Sequence, residues 1–247
     1  MRGLRIIGVL LVVLVLLLVV ADRVAVWAAE RTVADKVADE LAERQVDSSS
    51  PEVSIHGVPF LTQVGAGRFD EVTVRLRDVD WAGIRLARVE LAATGVTAST
   101  GTVLTGEGPI DAEWLHGTAT IGYATLAALP GPDELAGLRL TPDEDGALAV
   151  SLPAEVLGQP VTLAGVAGVE VTDGRVQLRI VELSVAEGEL PAGAGPLVDE
   201  LVGSVTQRLT LDVALPALPY GLTLESVRAE PAGLVVEVSA RDVPLAR

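Results

Sequence analysis

The chain has 247 residues, 49% of them hydrophobic but only 3% aromatic, and 34 acidic against 18 basic side chains give a formal charge of −16. That length supplies the core of one large domain or two small ones, and the acidity excludes a nucleic-acid partner, because phosphate binding needs a dense basic face. The absence of cysteine excludes disulfide scaffolds, thiolate zinc sites, iron–sulfur clusters and cysteine nucleophiles.

Arg2 and Arg5 precede the run Ile6 to Ala21, which carries no charged or strongly polar side chain. Such a run directs a chain into the secretory pathway, as a signal peptide or a signal anchor. At 1.5 Å per residue it reaches about 24 Å, short of the ~30 Å hydrocarbon core. Extension through Val24, Val26 and Trp27 completes a span, with Asp22 and Arg23 near the far interface and Trp27 as a belt residue. Cleavage after Ala28 is the competing reading, since Val26 and Ala28 are small enough for the recognition positions. The run exceeds the roughly 7–15 residues of an ordinary cleaved signal, which favours an uncleaved signal anchor or transmembrane segment over residues 1–27. Residues 28–247 then form one extracytoplasmic domain, with Arg2 and Arg5 on the cytoplasmic side. An exported chain without disulfides points to a bacterial envelope.

Residues Ala28 to Gln45 read as an amphipathic helix, with Val33, Val37 and Leu41 at i, i+4 and i+8 and charged residues on the other faces. The run Asp47-Ser48-Ser49-Ser50-Pro51 stops it. From Pro51 the texture is that of strands. Glu71 to Arg77 alternates polar and apolar residues, as a sheet with one wet face does. Ile84 to Thr94 continues the alternation with a change of phase between Leu86 and Val89, the mark of a bulge. A short apolar helix is predicted from Tyr123 to Leu129. Asp173-Gly174 is a hairpin turn, with Asp145-Gly146 and Ala232-Gly233 serving similar turns. Pro196 opens a second long helix on which Val198, Leu201, Val202, Val205 and Leu209 repeat at helical spacing, and Leu222 to Val243 closes with two strands. The fold class is α+β, with long helices laid on an antiparallel sheet.

Catalytic and metal-binding constellations are not evident. His56 and His116 lie far apart without a neighbouring His or Cys, and read as strand-end or turn residues. No G-x-S-x-G is present, and Ser204 falls within the second helix. Asp143-Glu144-Asp145-Gly146 imitates the start of a calcium loop but has Ala154 at the twelfth position. Gly65-Ala66-Gly67 opens no nucleotide site. Asp78 and Asp80 read as a wet sheet edge rather than as glycosidase acids. No cofactor, metal or catalytic residue is expected, and the protein is read as a non-enzyme.

What remains is an excess of aliphatic surface. A sheet lined by Leu, Val and Ala around small-lined helices can leave an elongated apolar groove; ordinary core is the alternative for each residue taken singly. The segment Pro51-Glu52-Val53-Ser54-Ile55-His56-Gly57-Val58-Pro59-Phe60-Leu61-Thr62-Gln63, followed by Gly67-Arg68-Phe69-Asp70-Glu71-Val72, resembles the opening signature of the actinobacterial LmeA-type phospholipid-binding family. Gly117-Thr118-Ala119-Thr120 before Tyr123-Ala124-Thr125-Leu126, and Leu215-Pro216-Ala217-Leu218-Pro219-Tyr220-Gly221-Leu222 before Gly233-Leu234, are similar to later signatures of that family.

The resemblance implies an envelope protein in which a curved antiparallel sheet wraps two long helices, as in tubular lipid-binding domains. It implies phospholipid and membrane as partners and, in mycobacterial relatives, a role in lengthening the mannan of lipoglycans. A sixteen-carbon acyl chain buried at ~0.8 kcal/mol per methylene represents about 13 kcal/mol of exposure to water, so a carrier needs an aliphatic sheath. Val58, Phe60 and Leu61 form an apolar tip suited to the mouth of such a sheath or to plugging its end. Val198, Leu201, Val202 and Val205 would line it, while Trp114, Tyr123, Leu126, Leu218 and Tyr220 are rim candidates. Arg68 reads as a surface salt bridge before a phosphate contact. A membrane-anchored scaffold with a solid core, and an envelope hydrolase, are the competing functions; the lipid, the protein partner and the oligomeric state are not specified.

Overall fold

A computed structural model describes residues 2–81, 83–105, 108–128, 137–142, 147–156, 159–172, 175–187, 195–197, 200, 202–203, 210–213 and 218–246. The apolar run and the amphipathic segment are one unbroken helix, α1 (Arg2–Glu43). Proline is absent from it and its only glycines are Gly3 and Gly8, so no breaker interrupts the hydrogen-bond ladder. Its end is a left-handed turn at Gln45 (φ +56°), where Gln45 N–H donates to Ala42 O and Val46 N–H to Leu41 O. That pairing satisfies the last carbonyls before the Asp47–Pro51 run is reached.

The chain continues through β1 (Glu52–His56), α2 (Phe60–Ala66), β2 (Arg68–Trp81), β3 (Ile84–Ala98), α3 (Thr100–Thr105), β4 (Ile110–Ile121) and α4 (Tyr123–Ala127). After these come β5 (Arg139–Pro142), β6 (Leu148–Val156), β7 (Gln159–Thr172), β8 (Arg175–Glu187) and β9 (Thr210–Val213). A 3-10 turn (Pro219–Gly221), β10 (Thr223–Glu230) and β11 (Gly233–Ala246) close it. One sheet has the order β1-β2-β3-β4-β11-β10 and the other β5-β6-β7-β8-β9. The chain is therefore α+β, with antiparallel sheets and a long apolar N-terminal helix.

The second long helix expected from Pro196 is not established. Residues 195–197, 200 and 202–203 are helical, the rest of that segment lies outside the described residues, and among the described residues only α1 and α2 reach seven residues.

Two compact units divide the chain: Met1–Val79, Glu90–Gly117 and Ser239–Arg247 form the first, Asp80–Val89 and Thr118–Val238 the second. In the first, β1 pairs antiparallel with β2, Val53 opposite Val74 and Ile55 opposite Val72. The expectation of a single wet face on β2 needs correction. Thr73, on the face opposite Val72 and Val74, is only 2% exposed, and its hydroxyl is satisfied by Glu71 at 3.1 Å. In β3, which contributes to both units, the buried residues Leu86 and Ala93 lie an odd number of positions apart, so opposite faces of the strand are buried at the two positions. Ion pairs dress the surface of this unit, Arg75 to Glu90 at 3.0 Å and Arg77 to Glu52 at 3.1 Å.

In the second unit β6, β7 and β8 form two antiparallel pairs, with Ala154 opposite Val161 and Thr172 opposite Arg175. The latter pair closes the hairpin predicted at Asp173-Gly174, although the two turn residues lie outside the described ones. Register shifts between Thr162 and Leu163 and between Val166 and Ala167 put bulges into β7–β8. Beside the second shift Gly165 is required by close approach: a Cβ there would overlap the Glu182 carbonyl.

Candidate functional site

The second unit carries a continuous aliphatic face. Leu148, Val150, Leu152 and Ala154 alternate along β6 and stand opposite Ala167, Gly165, Leu163 and Val161 of β7. Opposite residues in an antiparallel pair share a face, so these side chains form one surface. Leu140 of β5 extends it beside Val150, and Ile180, Leu183 and Val185 of β8 extend it beside Ala167, Gly165 and Leu163. Leu148 and Leu163 are 0% exposed, and neither aromatic nor charged side chains interrupt the face. Val202, from the segment predicted as the second helix, packs against Val161 together with Ala154 and Val185. Such a surface supplies dispersion and exclusion of water, and offers no acid, base or nucleophile.

Of the other proposed lining residues, Val198, Leu201 and Val205 lie outside the described residues, as do Ser204 and the Asp143–Gly146 run. Tyr123 and Leu126 belong to α4. Leu126 is buried, and the half-buried Tyr123 donates its hydroxyl to Glu230 O at 2.6 Å. Burial raises the Tyr123 phenol above its ordinary value, with the hydrogen bond to Glu230 opposing the shift. Leu218 is half-buried before the 3-10 turn, and Tyr220 within it is exposed at φ +58°.

In the first unit the apolar tip separates into two kinds of residue. Phe60 is 3% exposed and packs on Phe69, ring centroids 6.0 Å apart. Val58 and Leu61 are 78% and 43% exposed. The turn between β1 and α2 is held by the buried Gln63, whose amide donates to His56 O and accepts from Asp70 N–H. Gly57 sits at φ +103° against Gln63 and Asp70, where a Cβ would collide with both. Trp114 is half-buried, with His116 stacked on it at 5.6 Å and the Arg241 guanidinium 3.9 Å from its ring centre. Arg68 pairs with Glu113 at 2.8 Å on the surface, and His56 approaches Glu71 at 3.8 Å. Among the described residues no group of His, Asp and Glu is arranged to hold a metal.

The LmeA-like phospholipid-binding family matches residues 20–239. The chain belongs to that family. Membership supports lipid binding as its general function, and it agrees with the resemblance carried by the three signature segments. The match begins at Val20, so the LmeA-like region takes in the part of α1 that packs on the first unit and leaves out most of the apolar run. Neither a curated protein nor a solved structure matches the chain.

Two features of this LmeA-like chain escaped sequence reasoning. The signal for the β6–β7 face is the period-two pattern Leu148-x-Val150-x-Leu152 and Val161-x-Leu163. The sequence places Asp22 by its distance along the apolar run but not by its contacts: its carboxylate faces the protein, 5% exposed, accepting Leu61 N–H at 2.8 Å and Arg23 at 2.6 Å. No local sequence signal announces a partner 39 residues away.

Proposed function

We propose that the protein is a non-catalytic phospholipid carrier or sensor of the bacterial cell envelope. The acyl chains lie against the aliphatic face of β5–β8 beneath the segment that contains Val202, in a sheet-around-helices arrangement of the tubular lipid-binding kind. α1 stays attached as a single-pass anchor with the remainder outside the cytoplasm, supporting lipoglycan or other envelope biogenesis. The observation that carries the lipid reading is family membership joined to a charge-free aliphatic face of aligned Leu, Val, Ile and Ala.

Retention of the anchor is supported by Asp22 and Val26, both buried against the first unit; cleavage after Ala28 would remove them and strip the Leu61 amide of its acceptor. Residues 1–27 are thus assigned to the anchor and 28–247 to the lipid-binding domain, with Asp22 and Val26 belonging to the packing of both.

Native mass spectrometry of the full chain in a non-phospholipid detergent, with organic extraction of co-purifying lipid, tests the reading. One or two bound phospholipids are expected, lost in Val202→Glu. A mass that stays lipid-free after incubation with phospholipid vesicles overturns it. The complete burial of Leu148 and Leu163 favours the scaffold in that case, as a solid core needs no ligand.

A further inference from the structure

From Ile6 to Ala21 every side chain of α1 is exposed. At Asp22 this changes abruptly. Asp22 and Val26 are buried, and Ala29, Glu30, Val33, Ala34, Val37, Ala38 and Leu41 are half-buried at helical spacing. The helix thus leaves the protein at one definable level. β1 runs back along α1 towards that level: Ile55 N–H donates to Glu30 at 2.9 Å, and Leu61 N–H, six residues on, donates to Asp22. The two acceptors are eight positions apart on α1, about 12 Å along its axis. The turn at residues 57–59 therefore stands where the fully exposed apolar segment begins, and it presents Val58 and Leu61 outward. Val24 and Trp27 are exposed on the adjoining turns of α1. The Gln63 hydrogen bonds hold this turn in shape, and Thr62 closes on Pro59 O at 2.7 Å.

We infer that the Val58–Leu61 turn is a membrane-contact wedge, seated in the interfacial layer of the same phospholipid bilayer that receives Ile6–Ala21 and fixed at that depth by the Asp22 and Glu30 hydrogen bonds. The inference rests on the anchor reading of α1. Its chemistry is that of interfacial insertion: short apolar side chains enter the headgroup–acyl boundary while a Trp sits in the adjoining belt. Val58 packs on little else, so it can enter lipid without unfolding the turn.

The natural absence of cysteine makes the test direct. Three single-cysteine variants of the full chain, V58C, L16C and D39C, are labelled with an environment-sensitive fluorophore. They are reconstituted into phosphatidylcholine–phosphatidylglycerol vesicles carrying lipids brominated at shallow or deep acyl positions. The expected result is severalfold quenching and a blue shift at position 58 with shallow bromine, quenching at 16 with deep bromine, and the aqueous spectrum at 39. A position 58 that matches 39 while 16 is quenched overturns the wedge and leaves the anchor standing. An unquenched position 16 overturns both.

Discussion

Phe60 separates a packed core from a lipid contact, because sequence pattern alone makes it an apolar residue of the tip. Its ring is 3% exposed and tilted 40° against Phe69 at 6.0 Å. Phe60→Ala deletes a fully packed ring, which costs about 3–5 kcal/mol, of which the ring pair supplies about 1 kcal/mol. For a chain of this size that corresponds to a fall in Tm of about 10 °C. Phe60→Leu keeps most of the volume and is expected to cost about 1 kcal/mol. Guanidinium unfolding followed by tryptophan fluorescence measures both, and the lipid content of each variant is read in parallel by native mass spectrometry. Core packing requires a large loss of stability in the alanine variant, a small one in the leucine variant, and unchanged lipid stoichiometry in the leucine variant. A Phe60→Ala protein that unfolds within about 1 kcal/mol of the parent, yet has lost its lipid, would refute the core assignment and return the ring to the ligand.

Glu237 accepts from Arg228 and from Ser226, both at 2.6 Å, and these bonds hold its carboxyl below the ordinary carboxylate range. A depressed carboxylate contributes stability above its unfolded value and loses it as the pH falls through the carboxylate range to the lower folded value. Glu237→Gln is therefore expected to unfold slightly earlier than the parent at pH 7, by about 1 kcal/mol or less for so exposed a pair, with the gap closing on acidification; a gap that widens in acid contradicts the assignment. Gly165→Val drives a Cβ into the Glu182 carbonyl beside the β7–β8 bulge. It is expected to cost at least about 3 kcal/mol, visible as loss of the cooperative transition in circular dichroism, and a variant with parental stability would show that the bulge relaxes freely.

Local patterns carried much of the fold. The apolar run, the amphipathic stretch after it, the short helix at Tyr123, the Asp173-Gly174 hairpin and the closing strand pair all announced themselves through periodicity or turn chemistry. What was not legible depends on partners distant in the chain. That α1 runs on through Asp22 is legible, because neither glycine nor proline falls between Gly8 and Glu43; that its lower half docks on β1 and α2 is not, because no window of sequence contains those partners. Thr73 is buried on the face that alternation marks as wet, because a hydroxyl with a local acceptor can be covered on either side of a sheet. Gln45 ends α1 although glycine or asparagine is the usual signal. In the candidate site Val198, Leu201 and Val205 lie outside the described residues, and the aliphatic face of Leu148 to Leu163 emerges only when the β6–β7 register places the two period-two runs opposite each other.

The unbroken α1 also limits where the first unit can meet a partner. Between Asp22 and Glu43 it holds neither glycine nor proline, and these residues rise about 33 Å along a face docked on the first unit. On the anchor reading this is a boom and not a leash: the first unit cannot swing out to search for an acceptor, and stands at a set height above the bilayer surface. A partner of the first unit would have to come to that height, so their encounter would be governed by lateral movement within the plane of the membrane rather than by the reach of a flexible arm.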